Sequence, residues 1–536
     1  METFWLMWMA EAGGATDRLL QIARWFQSAR GWQGCGVAVL LGAVSALAFA
    51  PLHVWPLIFL TFPAFVWLLD GAQASGRDVR QGLVAGWCFG FGYFLVGMHW
   101  IVFPFMVDAD EHAWQIPFVA LLFPGCLALF WGLATALASG FWHRGFARVL
   151  VLAVSVSASE WLRGHVLTGL PWNLPGYVWT GSDTMIQSAS FLGIYGLSLA
   201  TVLSALMPAA VIGVDGKRAD DSRVALGGIA ILLAIWGYGL LRVPAEASPV
   251  FPSVNLRIVQ PNVPQHEKWR PEFLMRNWKQ LVDLTRQPGL ESMSAVIWPE
   301  AAPPFPMLST NGALEAVGTL LPDRTVLLTG TRRVEWGEPN RYFNSLVAID
   351  GKGGVVAIYD KSHLVPFGEY LPLFRLLEPL GIKQLTGMNG GFSEGSGVRL
   401  LSAPGLPSFG VLICYEAIFP SAVVARDARP DWLVNITDDS WFGSWAGPYQ
   451  HLGIARVRAV EEGLSVVRAA NTGISAIIDP YGRINSALEL NKAGVLDAAL
   501  PIPLKPTVYS CFGDTIFVVF AMVLLVVAAI FSRSTP

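Results

Sequence analysis

Long apolar runs dominate the first 240 or so residues of this 536-residue chain, and the composition becomes mixed after them. About 20 consecutive apolar residues are enough for a helix to cross the hydrocarbon core of a bilayer. The first 243 residues therefore predict a membrane domain, followed by a globular domain over 244–512 and by a last helix and tail over 513–536. The eight predicted spans are 35–50, 54–70, 82–106, 115–141, 149–163, 186–212, 224–241 and 515–532.

The globular segment alternates two patterns. Short runs rich in branched and aromatic residues have the length of strands, whereas Pro271 to Arg286 and Tyr449 to Glu462 repeat apolar residues at helical spacing. This alternation predicts an α/β domain in layers around a common core. The predicted strands are 254–260, 295–298, 325–330, 345–349, 355–359, 409–413, 432–436, 465–469 and 475–478.

Composition supports a membrane protein, because 53% of the residues are hydrophobic and only 14% are charged. Basic residues gather in alternate loops between the spans, which the positive-inside rule assigns to the cytoplasm. We therefore expect both termini in the cytoplasm and the globular domain on the outer face. Met1 to Ala10 lacks a convincing cleavage site, so no cleaved signal peptide is expected. The basic residues are Arg18, Arg24, Arg30, Arg77, Arg80, Arg144, Arg148, Lys217, Arg218, Arg223 and Arg533.

Three predicted strand ends carry side chains that suit attack on an ester or amide carbonyl. Cys414 follows a buried apolar run, Glu300 follows Ile297-Trp298-Pro299, and Lys361 follows Tyr359-Asp360. A thiol needs a base, or a cation near its thiolate, to act as a nucleophile at neutral pH. Glu300 could be the base, and Lys361 could stabilise the thiolate and the oxyanion. Taken singly, each residue also has an ordinary structural interpretation, a buried core cysteine or a solvated charge.

The segments around these residues resemble the three signatures of the nitrilase, or carbon-nitrogen hydrolase, superfamily. They are Trp298-Pro299-Glu300, Asp360 to Glu369, and Ile413-Cys414-Tyr415-Glu416. The resemblance implies a four-layer αββα sandwich with a Glu-Lys-Cys triad. Together with the predicted spans, the chain resembles throughout its length the membrane-embedded family of that superfamily, the apolipoprotein N-acyltransferases of Gram-negative inner membranes.

That resemblance implies a two-step acyl transfer in the inner membrane, with the catalytic domain in the periplasm. Cys414 would take a fatty acyl chain from a phospholipid, typically phosphatidylethanolamine. The thioester would then acylate the α-amine of an S-diacylglyceryl-cysteine at the N-terminus of a lipoprotein. No cofactor, metal or nucleic acid is expected.

The resemblance also implies supporting residues. Glu369 would support the triad, and Tyr415 and Glu416 would flank the nucleophile. Asn344 and Trp269 would lie near the acyl and lipid pocket. The segment Thr437 to Gly443 departs from the family pattern Asn-Asp-Ala-Trp-Phe-Gly at Asp438 and Ser440.

Two other functions remain open from the residues alone. A membrane-tethered amidase would use the same triad with water instead of an amine, and a transporter would use the outer domain only for binding. The transporter would need ionisable residues inside several spans, whereas those here gather near span ends. Glu160 and Arg163 are three residues apart at a helix end, a spacing that suits a mutual ion pair as well as a role in substrate binding, and we interpret them as structural. His363 and His451 lack the spacing of a zinc site.

Overall fold

The computed structural model describes residues 17–74, 78–143, 145–216, 224–373, 375, 385, 391–425 and 428–534. Met1 to Ala10, for which no cleaved signal peptide is expected, lies outside these ranges. So do five of the basic residues used to predict the orientation, namely Arg77, Arg144, Lys217, Arg218 and Arg223.

The predicted spans all lie on helices. Six helical segments of the described residues are long and apolar enough to cross a membrane, and Val79–Gly97 with His99–Val107 forms a seventh that is bent by 66°. The fifth predicted span lies on a helix outside this set, which buries three charged side chains. A polytopic helical part is thus confirmed, with six or seven apolar spans. The longer helices of this part are α1 (Gly31–Ser45), α2 (Ile58–Ala72), α3 (Val79–Gly97), α4 (Ile116–Gly140), α5 (Ala147–His165), α6 (Ala189–Leu206) and α7 (Val224–Arg242).

The charges buried on α5 are paired within the helical part. Arg163 forms an ion pair with Glu160, as their spacing predicts, and also donates to the carbonyl of Trp172 at 2.9 Å. Arg148 at the other end of α5 contacts Asp70 of α2 at 2.9 Å. An unpaired charge at such depth would be costly, so these pairs explain how α5 is accommodated among apolar helices.

The described residues of the globular part form two sheets. The strands are β1 (Val250–Gln260), β2 (Ala295–Trp298), β3 (Val326–Glu335), β4 (Arg341–Ile349), β5 (Val355–Asp360), β6 (Phe409–Ile413), β7 (Trp432–Thr437), β8 (Ser465–Ala470), β9 (Ser475–Ile478), β10 (Ile484–Leu488) and β11 (Gly494–Pro501). The six-stranded sheet has the order β11-β1-β2-β3-β4-β5, and the five-stranded sheet has the order β10-β9-β8-β7-β6. Parallel pairing joins β1, β2 and β3 in one sheet and β6, β7 and β8 in the other, and the remaining pairs are antiparallel.

Alternate residues of each central strand face opposite layers. Ile297 of β2 and Val411 of β6 lie in the core between the two sheets. Val296 of β2 instead packs with the helices α8 (Leu274–Thr285) and α9 (Ala313–Leu320), while Leu412 of β6 packs with α10 (Ala446–Glu462). The layers are therefore helix, sheet, sheet and helix, the predicted αββα sandwich.

The structure adds two strands and one hairpin that the sequence pattern did not predict. β10 and β11 follow the last predicted strand, and neither carries the continuous apolar run of a central strand. The predicted strand 325–330 continues to Glu335, where it pairs with Arg341 of β4. These stretches are partly exposed and carry polar side chains. They were not predicted as strands because the prediction relied on apolar runs.

Helix α10 joins the two parts of the molecule. Its Leu452 and Ala455 pack on the five-stranded sheet, whereas Ile454 and Val457 pack among the membrane helices. This helix is therefore buried between the sheet and the helical part. The last helix, α11 (Thr515–Ser534), returns the chain to the helical part.

Polar groups of α10 also bind the helical part. Gln450 accepts hydrogen bonds from the indoles of Trp100 and Trp172 at 3.1 and 2.7 Å. Glu461 accepts from the backbone N–H of Ile194 at 2.7 Å and pairs with Arg458 at 2.9 Å. Burial raises the pKa of Glu461 to about 8, although the neighbouring Arg458 opposes that rise.

Helices α1 and α3 cross closely at glycine, as small residues permit in membranes. A Cβ on Gly42 would lie 1.9 Å from the carbonyl oxygen of Phe89, whereas one on Gly36 would meet nothing within 4 Å. We predict that Gly42→Ala destabilises the protein by about 1–3 kcal/mol through overpacking. Gly36→Ala should be neutral or stabilising by up to about 1 kcal/mol, because alanine is the better helix former. Thermal unfolding in detergent measures both, and equal melting temperatures would contradict the close crossing.

Candidate active site

Glu300, Lys361 and Cys414 meet at one end of the gap between the sheets. Glu300 follows β2 by two residues, while Lys361 and Cys414 directly follow β5 and β6. All three are buried. The Lys361 Nζ lies 3.6 Å from Glu300 Oε1 and 2.9 Å from Glu369 Oε2. The structure thus brings the predicted base, cation and thiol together, with Glu369 beside them.

Two donors hold the carboxylate of Glu300. The amide of Asn344 donates to Oε1 at 2.8 Å, and the backbone N–H of Asp438 donates to Oε2 at 2.8 Å. Burial raises the pKa of Glu300, while Lys361 opposes the rise and Glu369 and Asp438 add to it. A carboxylate with a raised pKa is better matched to accepting and returning a proton near neutral pH.

Lys361 remains charged because of its two carboxylate neighbours. Burial alone would lower the pKa of its ammonium, but Glu369 and Glu300 outweigh burial and raise that pKa. Glu369 is itself fixed by the backbone N–H of Val365 and by the amide of Asn344, each at 2.8 Å. Asn344 therefore donates to both carboxylates and lies beside them, whereas its expected place near the acyl and lipid pocket stays a prediction.

Cys414 lies at a sharp turn with a φ of +50°, an uncommon backbone conformation for a residue with a side chain. Burial raises the pKa of its thiol, the charge of Glu300 raises that pKa further, and Lys361 opposes both. The resting side chain is therefore the thiol, which must lose its proton before it can attack a carbonyl.

Glu416 fixes the turn that carries Cys414. Its carboxylate accepts from the backbone N–H of Ile413 at one end and from the hydroxyl of Tyr359 and the backbone N–H of Ser362 at the other, each at 2.8 Å. It thereby ties the end of β6 to the end of β5. Tyr415 points elsewhere, because its hydroxyl donates to the carbonyl of Gly169, in the loop after α5, at 2.8 Å.

Behind Cys414 lies a buried charge cluster that sequence reasoning missed. His451 Nε2 lies 3.2 Å from the carbonyl oxygen of Cys414, and its Nδ1 lies 2.9 Å from Asp439. Arg468 also pairs with Asp439 at 2.6 Å. Burial and the charge of Arg468 lower the pKa of His451, which favours a neutral imidazole. No group of three or more potential ligands able to hold a metal occurs in the described ranges.

Lys268 is a further residue near the site that sequence reasoning did not select. Its ammonium donates to the backbone carbonyl of Glu300 at 3.1 Å and forms a buried ion pair with Asp438. The ring of Trp269, the next residue, lies under the guanidinium of Arg332, whose Cζ is 3.7 Å from the ring centre. Trp269 therefore lies at the side of the site.

Comparison with known proteins identifies the family. The model of the apolipoprotein N-acyltransferase N-terminal domain matches residues 41–207, and the carbon-nitrogen hydrolase model matches residues 255–504. The apolipoprotein N-acyltransferase of Rhodopseudomonas palustris is 44% identical over 97% of this chain and 98% of its own length. The chain belongs to the apolipoprotein N-acyltransferase family. The relative from Bradyrhizobium diazoefficiens is 42% identical over 93% of this chain and 95% of its own length.

Family membership confirms the prediction that the chain is an acyltransferase with a nitrilase-type domain and a helical membrane part. Among solved structures, an amidase from Nesterenkonia sp. shares 18% identity over 48% of this chain and 94% of its own, with a TM-score of 0.35.

Asp438 stands where the family pattern has asparagine, and its charge contributes to the raised pKa of Glu300. Asp438→Asn keeps the backbone N–H that binds Glu300 and removes the negative charge. We predict that the pKa of Glu300 then falls, so the acid limb of the pH profile of Cys414 acylation moves to lower pH. The pH dependence of acyl-enzyme formation measures this shift. Asp323→Asn, at an exposed turn, should leave the acid limb of the pH profile unchanged. If the acid limb of Asp438→Asn is also unchanged, the charge of Asp438 does not affect Glu300.

Proposed function

We propose that this chain transfers a fatty acyl group from a phospholipid to the N-terminal α-amine of S-diacylglyceryl apolipoproteins. The observation that carries the proposal is the buried cluster of Glu300, Lys361 and Cys414 in a sandwich packed against apolar helices. Both substrates hold their chains in a bilayer and their reactive groups at its surface. A carbonyl-attacking domain fixed to membrane helices can reach both without extracting either.

In the first step Glu300 takes the proton of the Cys414 thiol, and Sγ attacks an ester carbonyl of the phospholipid. Lys361 stabilises the negative charge that develops on the thiolate and on the oxyanion. The tetrahedral intermediate collapses with loss of the lysophospholipid alkoxide, which takes its proton from Glu300. The products are a Cys414 thioester and a lysophospholipid, and Glu300 is again a carboxylate.

In the second step the uncharged α-amine attacks the thioester carbonyl. Glu300 accepts a proton from the attacking nitrogen, the C–S bond breaks, and the amide leaves with the acyl chain. The Cys414 thiolate recovers its proton from Glu300. One carboxylate thus serves as base and acid in each half-reaction, which requires the first product to leave before the amine enters.

In this scheme the supporting residues keep Lys361 charged and keep Glu300 and Cys414 in position. Asn344 and Glu369 position Glu300 and keep Lys361 protonated. Glu416 and Tyr415 hold the turn at Cys414 against the β5 loop and the helical part. Trp269 would contribute at the lipid side of the site.

The proposal includes a location. The helical part would lie in the bacterial inner membrane with both termini in the cytoplasm, and the sandwich would face the periplasm. The domain limits would be 1–243, 244–512 and 513–536, and phosphatidylethanolamine would be the donor. The alternate loops rich in Arg and Lys support this orientation.

We predict that Cys414→Ser keeps the fold and forms almost no acyl-enzyme, because a hydroxyl is far harder to deprotonate than a thiol.

Glu300→Gln should slow acylation by about 10²–10⁴-fold, the usual contribution of a general base. The measurement is the intact mass of the purified protein after incubation with phosphatidylethanolamine. Glu272→Gln, on the exposed turn before α8, should acylate normally. Normal acylation of Glu300→Gln would remove Glu300 as the base.

We also predict that deacylation of the isolated thioester requires an uncharged lipopeptide amine. An α-amino group has a reference pKa of about 7.7–8.0, so this step should quicken as pH rises through that range. A diacylglyceryl lipopeptide with a free N-terminus is compared with its acetylated form. Equal loss of the thioester with both peptides, or with buffer alone, would support the amidase and exclude the transferase.

A further inference from the structure

Arg332 on β3 carries a charge that the described part of the chain does not match. Its guanidinium lies 3.7 Å above the centre of the Trp269 ring. Its Nε is buried and has no hydrogen-bond partner among the described residues. Burial lowers the pKa of this side chain, and no neighbouring carboxylate opposes the effect. An anion would stabilise a partly buried arginine in this state, and the described residues do not supply one.

The other cations around the site are already neutralised. Lys361 pairs with Glu369 at 2.9 Å, and Lys268 pairs with Asp438. Arg333, the next residue on β3, makes two hydrogen bonds to Asp360 at 2.9 and 2.8 Å. Arg332 differs from all three, although it lies on the same strand as Arg333.

The strand register places Arg332 on the face of the sheet that carries the site. Arg332 is directly opposite Asn344 in the antiparallel pair of β3 and β4. Directly opposed residues project from the same face, with Cβ atoms about 4.5–5.5 Å apart. Asn344 uses that face to bind Glu300 and Glu369. Arg333 projects from the other face, where Asp360 is its partner.

The chemistry of this arrangement fits a phosphodiester. The planar fork of a guanidinium matches two phosphate oxygens, and an aromatic ring stacked beneath it fixes its plane and leaves the edge free. Trp269 supplies that ring, and its neighbour Lys268 contacts the backbone of Glu300. In a glycerophospholipid the phosphate lies one glycerol unit from the ester that Cys414 would attack.

We propose that Arg332, held by Trp269, binds the phosphodiester of the acyl-donor phospholipid and so orients its ester toward Cys414. This inference rests on the proposed function. It assigns to Arg332 recognition of the donor in the first half-reaction, with no part in proton transfer.

The test compares two acyl donors on the full-length protein in mixed micelles. Dioleoyl phosphatidylethanolamine carries the phosphodiester, and dioleoylglycerol carries the same esters without it. The initial rate of thioester formation on Cys414 is followed by intact mass against the mole fraction of each donor. The variants are Arg332→Gln, Arg332→Lys and, as the matched control, Arg324→Gln, an exposed arginine in the turn before β3.

Arg332→Gln should raise the half-saturating fraction of phosphatidylethanolamine by about 10- to 100-fold, as for loss of a charged hydrogen bond. Its rate with dioleoylglycerol should stay within about twofold of the unmodified protein. Arg332→Lys should recover part of the loss, since it keeps the charge without the fork. Arg324→Gln should match the unmodified protein with both donors.

Two results would overturn the inference in different ways. In the first, the unmodified protein acylates Cys414, and both Arg332 variants either keep the acylation rate with each donor or reduce it equally with both donors. Arg332 then does not bind the phosphate, and the proposed function stands. If the unmodified protein forms no thioester with phosphatidylethanolamine, the proposed function fails and the inference fails with it.

Discussion

The ammonium of Lys361 is buried, and the arrangement of the site follows from the need to keep it charged. A buried lysine without an opposite charge loses its proton, so its carboxylate neighbours are a structural requirement. Glu300 comes from the end of β2, Glu369 from the loop after β5, and Asn344 from β4 bridges the two carboxylates. Three segments, namely the end of β2, strand β4 and the loop after β5, thus meet around one cation. Burial and the charge of Glu300 raise the pKa of the Cys414 thiol, whereas the charge of Lys361 opposes that rise.

The helical part contributes to the geometry of the site as well as anchoring it. The loop after α5 accepts hydrogen bonds at Gly169 from Tyr415, and its Thr168 carbonyl contacts His363 at 2.8 Å. His363 in turn stacks on Phe419, with ring centres 3.8 Å apart. The loop after α5 therefore fixes both the turn that carries Cys414 and the loop after β5. Helix α10 also contacts both the site and the helical part. His451 contacts the backbone carbonyl of Cys414, and Gln450 accepts hydrogen bonds from two tryptophans of the helical part.

Much of the fold could be predicted because burial leaves a strong pattern in sequence. Central strands such as β6 are continuous apolar runs, and a residue that ends such a run lies at a sheet edge. That rule places Glu300 and Cys414 at strand ends. Lys361 follows the partly exposed edge strand β5, and only the pairing of the two sheets in the fold brings the three residues together. β10 and the outer half of β3 escaped prediction, since partly exposed strands carry polar residues at many positions. Lys268 and Arg468 could not be selected either, because only the folded chain shows that each pairs with a buried aspartate near the site.

Burial also bears on the choice between amine and water as the second nucleophile. Cys414 and Glu300 retain only 6% and 7% of their exposure, so bulk water has little access to a thioester formed there. A thioester is thermodynamically able to acylate either nucleophile, and selectivity must then come from access and local concentration. An acceptor tethered by its own lipid chains to the same bilayer presents its amine at high effective concentration. The packing of α10 against both the sheet and the apolar helices would hold a thioester at Cys414 close to the helical part, where a lipid-anchored acceptor is concentrated, and this arrangement supports the proposed transfer over hydrolysis.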